Sequence, residues 1–199
     1  MMAKQWTDLF LWKQFQRGDK NAFTNLVNQY SDVLYGYGQR FSADEELIRD
    51  CIQDVFLTLW HRREYLSETT CIKFYLMKAL RQRIMRESTK WRTMLPLDNI
   101  SHDKIDFSID LEDDSNLTEP AKLLLKTYIN KLSPRQREII YLRFYENLRQ
   151  DKVAEMMGLN LQSVYNLQRN ALLALRKLID YKSIRDCLIV LPLLAAALL

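Results

Sequence analysis

Two stretches of the chain concentrate side chains that could do chemistry, and in both the chemistry is recognition of nucleic acid. In the first, Gln162, Ser163, Tyr165, Asn166, Arg169 and Asn170 fall on one side of a helix once Val164, Leu167, Ala171, Leu175 and Leu178 turn inward. Their amide, hydroxyl and guanidinium groups can hydrogen-bond base edges in a major groove, with Arg176 and Lys177 placed for phosphates. The second is IKFYLMKALRQRIMRESTKWR, where Ile72, Leu76, Leu80 and Ile84 form an inward stripe. Its other face is cationic, with Lys73, Lys78, Arg81, Arg83, Arg86, Lys90 and Arg92. Tyr75 and Trp91, with Phe74 and Tyr65 nearby, add rings on which unpaired bases can stack, and Gln82 adds an amide. Cations and rings together are what single-stranded DNA binding needs.

No comparable set points to catalysis. The densest acids, Glu112, Asp113 and Asp114, lie in a stretch with no helical period, where nothing would hold carboxylates in a metal-binding or acid–base geometry. The two histidines, His61 and His102, are too few and too far apart for a metal centre. Cys51, Cys71 and Cys187 are widely spaced and read as buried thiols of a reducing cytoplasm, not as a disulfide or zinc set. No catalytic residue, metal, cofactor or small-molecule substrate is therefore expected.

The elements that must position the recognition residues are helices. Only four Gly and four Pro occur in 199 residues, and 48% of the chain is apolar, enough for one or two all-α cores. In QDKVAEMMGLNLQSVYNLQR, Val153, Ala154 and Met157 share a helical face and Gly158 permits a left-handed turn. Leu159, Val164 and Leu167 then return to the same small core, which makes a helix-turn-helix. Upstream, SPRQ at Ser133 combines a cap, a Pro at the first helical position and a Gln three residues on, opening a helix that buries Ile139, Ile140, Leu142 and Phe144.

The first half reads as four helices. A short amphipathic piece spans Trp6 to Gln16, and Asp19 caps a helix carrying Phe23, Leu26, Val27, Tyr30, Leu34 and Tyr37. Ser42 with Glu45 reads as a capping box for a helix that buries Leu47, Ile48, Cys51, Val55 and Leu59. Thr70 can cap the fourth, cationic helix.

Charge divides the chain in three. Residues 1–92 carry 15 Lys+Arg against 11 Asp+Glu, residues 93–119 carry 1 against 8, and residues 120–199 carry 13 against 6. Two basic lobes thus flank an acidic linker rich in turn formers. The tail CLIVLPLLAAALL, residues 187–199, is apolar throughout. Thirteen residues interrupted by Pro192 fall short of the roughly 20 that span a bilayer, so packing on the second lobe or a partner is expected and no transmembrane segment. The opening MMAKQWTDLF is polar where a secretory leader would be apolar, so a cytoplasmic protein is expected.

DCIQDVFLTLW, residues 50–60, resembles the D-x-x-Q-[DE]-V-F-L-x-L-W helix of bacterial RNA polymerase sigma factors. LSPRQREIIYLRFYENLRQDKVAEMMGLNLQSVYNLQ resembles their second domain, and the match is to the small extracytoplasmic-function (ECF) group, covering about residues 19–180. The resemblance implies a promoter-specificity subunit without catalysis of its own. Residues 1–92 would be sigma region 2, binding core RNA polymerase and recognising and melting the -10 element. Residues 93–119 would be the linker, 120–182 region 4 gripping the -35 element, and 183–199 an apolar tail. Asp50, Gln53, Asp54 and Leu57 are left outward by the stripe Ile48, Cys51, Val55 and Leu59. In the family the matching positions dock on the coiled-coil clamp of the largest polymerase subunit, with Trp60 near that contact. An anti-sigma factor is a common further partner. The chain departs from the family at Tyr75 and Gln82, where Trp and Asn are frequent, and at Gln168 and Asn170, where an apolar residue and Arg or His are frequent.

Two rival classes make different demands. A helix-turn-helix regulator not attached to polymerase would need neither the DCIQD face nor the acidic linker, and would usually dimerise on a palindrome. A DNA recombinase would need a nucleophile beside an Arg cluster, or ordered carboxylates for metal.

Overall fold

The computed structural model describes residues 8–69, 71–93 and 125–178, and among these there is no strand. The helices fall into two compact units, one before residue 100 and one after it. Thr70, the tail and the linker expected over 93–119, apart from Thr93 at the end of a helix, lie outside the described residues.

The first unit contains α1 (Asp8–Gln16), α2 (Lys20–Gly38), α3 (Glu45–Arg62), a 3-10 turn (Arg63–Tyr65) and α4 (Ile72–Thr93). Its core is built from Leu11, Trp12 and Phe15 of α1, Leu26, Tyr30 and Leu34 of α2, Ile48, Cys51, Val55 and Leu59 of α3, and the expected stripe of α4. Asp19 caps α2 as read, accepting from the Asn21 and Ala22 amides. The cap of α3 is Asp44, not Ser42: the Asp44 carboxylate accepts from Leu47 N–H at 3.0 Å, and Ser42 Oγ accepts from Asp44 N–H at 3.1 Å. The helix therefore starts later. Leu47 is only half-buried, while Ile52 and Phe56 join the core. Gly38 is where α2 and α3 approach: a Cβ there would lie 2.6 Å from Ile48 Cγ2.

The second unit contains helical residues 125–129 (α5), α6 (Pro134–Ile140), α7 (Gln150–Met157) and α8 (Leu161–Leu178). Ser133 and Gln136 form the reciprocal cap that opens α6. After Ile140 the helix widens to a π turn over Tyr141–Tyr145, closed by Glu146 N–H donating to Tyr141 O at 3.1 Å. Widening shifts the phase of the buried face, so Tyr141 is buried with Leu142 and Phe144 is only half-buried. Gly158 has φ of 65° and ends α7 in the left-handed region, with Leu159 N–H bonded to Ala154 O at 3.0 Å. Asn160 Oδ1 then accepts from Ser163 N–H at 2.7 Å, capping α8.

Two further burial expectations are corrected. Cys71 is exposed, because it precedes α4 and shares none of its inward stripe, whereas Cys51 is buried. On α8 the inward face contains Gln168 and Leu172 as well as Val164, Ala171 and Leu175, while Leu167 is half-buried. Gln168 can be buried because its Oε1 accepts from Arg143 Nε at 3.3 Å and Gln150 Nε2 at 3.4 Å.

Candidate docking and nucleic-acid surfaces

On the outer side of α3, Asp50 and Gln53 are exposed and Leu57 is 47% exposed. Behind Leu57 an open groove of about 660 Å³ runs between α2 and α3, floored by Phe23, Val27, Ile52 and Phe56. Its polar rim includes Asp32, Gln53 and Arg49, whose guanidinium lies 5.5 Å from the Tyr35 ring centre and 3.0 Å from Glu45. From sequence, Phe23 and Val27 of this groove read only as ordinary apolar positions of an amphipathic helix, with no sign of a binding surface.

Asp54 and Trp60 sit differently from their neighbours. Asp54 is half-buried and paired with Arg83 of α4, so it does not present a free carboxylate one turn from Asp50. The same pair turns Arg83 away from the cationic face on which its spacing had placed it. Trp60 packs on Phe23 with ring centres 4.9 Å apart and on Phe15 at 6.3 Å, and the Arg63 guanidinium stacks over it at 4.7 Å. Burial pushes the Cys51 thiol pKa up to about 11, with Arg83 partly opposing the shift.

Along α4, Gln82 and Arg86 are exposed, and Lys73, Lys78 and Arg81 are half-buried. Trp91 and Arg92 fall in its final turn, but their side chains lie outside the described residues. Tyr75 is half-buried with its ring edge-on to Trp12 at 5.3 Å, and burial raises its pKa. Tyr65, on the turn after α3, is 84% exposed.

The segment that carries Tyr65 is held by a row of α1 side chains that sequence reasoning missed. Gln16 Nε2 donates to Leu66 O at 2.6 Å and Trp12 Nε1 to Ser67 O at 3.0 Å. Asp8 accepts from Ile72 N–H at 3.3 Å and from the Tyr30 hydroxyl at 3.1 Å.

In the second unit, Gln162, Tyr165, Asn166, Arg169, Asn170, Arg176 and Lys177 of α8 are exposed, and Ser163 is half-buried. Gln162 and Asn166 share a hydrogen bond at 3.2 Å. The small Ala154 is buried on α7, which packs against α8. This is the outward polar face of a helix-turn-helix, with the exposed guanidinium and amides aligned along one helix.

Residues 26–93 match the model of Sigma-70 region 2, and residues 128–177 match that of Sigma-70, region 4. The chain belongs to the sigma-70 family, in its ECF group. Together the two matches span more than half of the chain, in the family's order. Relatives include the ECF RNA polymerase sigma factor SigK of Mycobacterium ulcerans, 22% identical over 85% of this chain and 92% of SigK. Another is the RNA polymerase sigma-E factor of Streptomyces avermitilis, 22% identical over 84% of this chain and 90% of the relative. The fold is similar to a chain in the structure of CnrH in complex with the cytosolic domain of CnrY (TM-score 0.56, 18% identity, 86% of this chain and 96% of that one). It is also similar to one in the complex of the sigma factor RpoE with the anti-sigma factor NepR from Bartonella quintana (TM-score 0.54, 19% identity, 78% and 95%). The sigma factor is thus a promoter-specificity subunit that binds core RNA polymerase and promoter DNA, not a free-standing helix-turn-helix regulator. Among the described residues no helix is long and apolar enough to cross a membrane.

Proposed function

We infer that the division of labour follows the order of the chain. Residues 1–92 bind core polymerase and engage the -10 element, 93–119 form a connecting linker, 120–182 bind the -35 element, and 183–199 are an apolar tail. Asp50, Gln53 and Leu57 form the polymerase-docking face, with Asp54 and Trp60 shaping it from beneath. Tyr65 and the α4 residues Lys73, Tyr75, Lys78, Arg81, Gln82, Arg86, Trp91 and Arg92 serve the -10 strand. The exposed α8 residues with Ser163 serve the -35 duplex. Leu57 carries this reading, because a large apolar side chain left open beside an apolar groove suits a protein partner.

The factor works in the cytoplasm and performs no catalysis itself. An anti-sigma protein is its negative regulator, a role supported by the RpoE–NepR complex among the similar folds. The experiment is reconstituted transcription with core polymerase on genomic promoter fragments. New specific start sites that depend on this protein are expected; their absence, with core activity otherwise intact, would count against the assignment.

A further inference from the structure

Asp8, Trp12 and Gln16 are spaced i, i+4 and i+8 and therefore line one face of α1. Each takes a backbone group of the segment that joins α3 to α4, in reverse order: Gln16 at Leu66 O (2.6 Å), Trp12 at Ser67 O (3.0 Å), Asp8 at Ile72 N–H (3.3 Å). Lys13 adds an ion pair to Glu68 at 3.2 Å. The near end of the segment is held by Arg63, which donates to Trp60 O at 2.9 Å and stacks on that ring. At the α1–α2 corner Gly18, with φ of 85°, brings backbone close to Arg63: a Cβ there would meet its Nε at 3.5 Å. The grip is thus mainly on main-chain atoms, while the side chains of Tyr65 and Ser67 stay exposed.

A surface loop of this length would ordinarily sample many conformations, and ordering it at the moment of binding costs affinity. Here the ordering is already done. The most exposed large ring among the described residues, Tyr65, stands beside a segment tethered at successive points. We propose that Trp12 and Gln16 of α1 are positioning residues for promoter opening, holding the 63–69 segment so that Tyr65 meets an unstacked base of the -10 strand. This rests on the assignment of Tyr65 to the -10 strand, and the test separates the two.

The test uses full-length protein with core polymerase on a promoter fragment from which that holoenzyme initiates, with 2-aminopurine in the -10 element reporting opening. Gln16→Met keeps the side chain's size and loses the donor; Gln16→Glu sets a carboxylate against the Leu66 carbonyl. Opening by Gln16→Met should slow about three- to tenfold, the weight of one net hydrogen bond, and by Gln16→Glu more, with core affinity unchanged. Tyr65→Ala should also slow opening, and adding Gln16→Met to it should slow it no further, because both act through one ring. A wild-type rate for both Gln16 variants would overturn the proposal while leaving Tyr65 its role. An equal loss from Gln16→Met with and without the Tyr65 ring would also overturn it, since Gln16 would then brace only the fold. A wild-type rate for Tyr65→Ala would remove the underlying assignment, and the proposal with it.

Discussion

Asp54 of α3 and Arg83 of α4 form an ion pair that ties the helix assigned to polymerase docking to the helix assigned to the -10 strand, and Arg83 also reaches Glu87 at 3.3 Å. The pair is partly open to water, with side-chain exposures of 36% and 40%, so solvent and salt weaken it. A double-mutant cycle with Asp54→Ala and Arg83→Ala should give a coupling of about 0.5–1 kcal/mol in chemical unfolding, shrinking in 1 M salt. Zero coupling at low salt would show that the pair holds nothing.

The contact at Gly38 makes a sharper stability prediction. Gly38→Ala drives a methyl into the branched Ile48 side chain, which has little room to rotate at the start of α3. A loss of about 1–3 kcal/mol is expected in denaturant unfolding, and Ile48→Val in the same background should not restore it, because that change removes only Cδ1 and leaves the Cγ2 methyl in the way. An unchanged midpoint for Gly38→Ala would mean that the two helices are not this close.

Thiol chemistry should separate the two described cysteines. In a Cys187→Ser background at pH 8, Cys71 should react promptly with a maleimide, and Cys51, buried with its pKa up at about 11, only on unfolding. The same shift makes a sign prediction. The Cys51 contribution is fully present below the unfolded thiol pKa near 9 and is lost as pH rises through the folded value, so stability should fall between about pH 9 and 11, less so in Cys51→Ala. Two equally fast thiols in the native protein would contradict the burial.

On α8 the exposed residues divide by reach. Arg169→Ala should cost about 1–3 kcal/mol on cognate -35 DNA and relax preference at one base pair, while Lys177→Ala should weaken all sequences alike and reduce the salt slope by about one. Equal losses for Arg169→Ala on cognate and scrambled duplexes, read by anisotropy, would contradict the base-edge role.

What could be read from the sequence was local. The Asp19 cap, the Ser133–Gln136 box, the Gly158 turn and the α4 stripe each depend on residues within a turn or two, and each lies where the spacing put it. Ser42 failed as a cap because Asp44, two residues on, offers a carboxylate nearer to the amides that need it. Tyr141 displaced Phe144 from the core because a single π turn changes helical phase without a composition signal. The pairing of Asp54 with Arg83, 29 residues apart, and the hold of Asp8, Trp12 and Gln16 on atoms 50 to 64 residues away depend on how helices pack. No periodicity carries that information. The function was legible because the α3 motif and the helix-turn-helix are both contiguous in sequence.

The most direct test of polymerase docking through α3 is the affinity of the full-length factor for core polymerase, measured for wild type and for Asp50→Arg with Leu57→Asp. Both residues are exposed, so the helical spectrum and thermal midpoint should stay close to wild type. Core affinity should nevertheless fall by at least about 30-fold, as when a central interface residue is lost, and initiation with it, while binding to -35 duplex is retained. Wild-type affinity for core polymerase in the doubly substituted protein would contradict docking through this face.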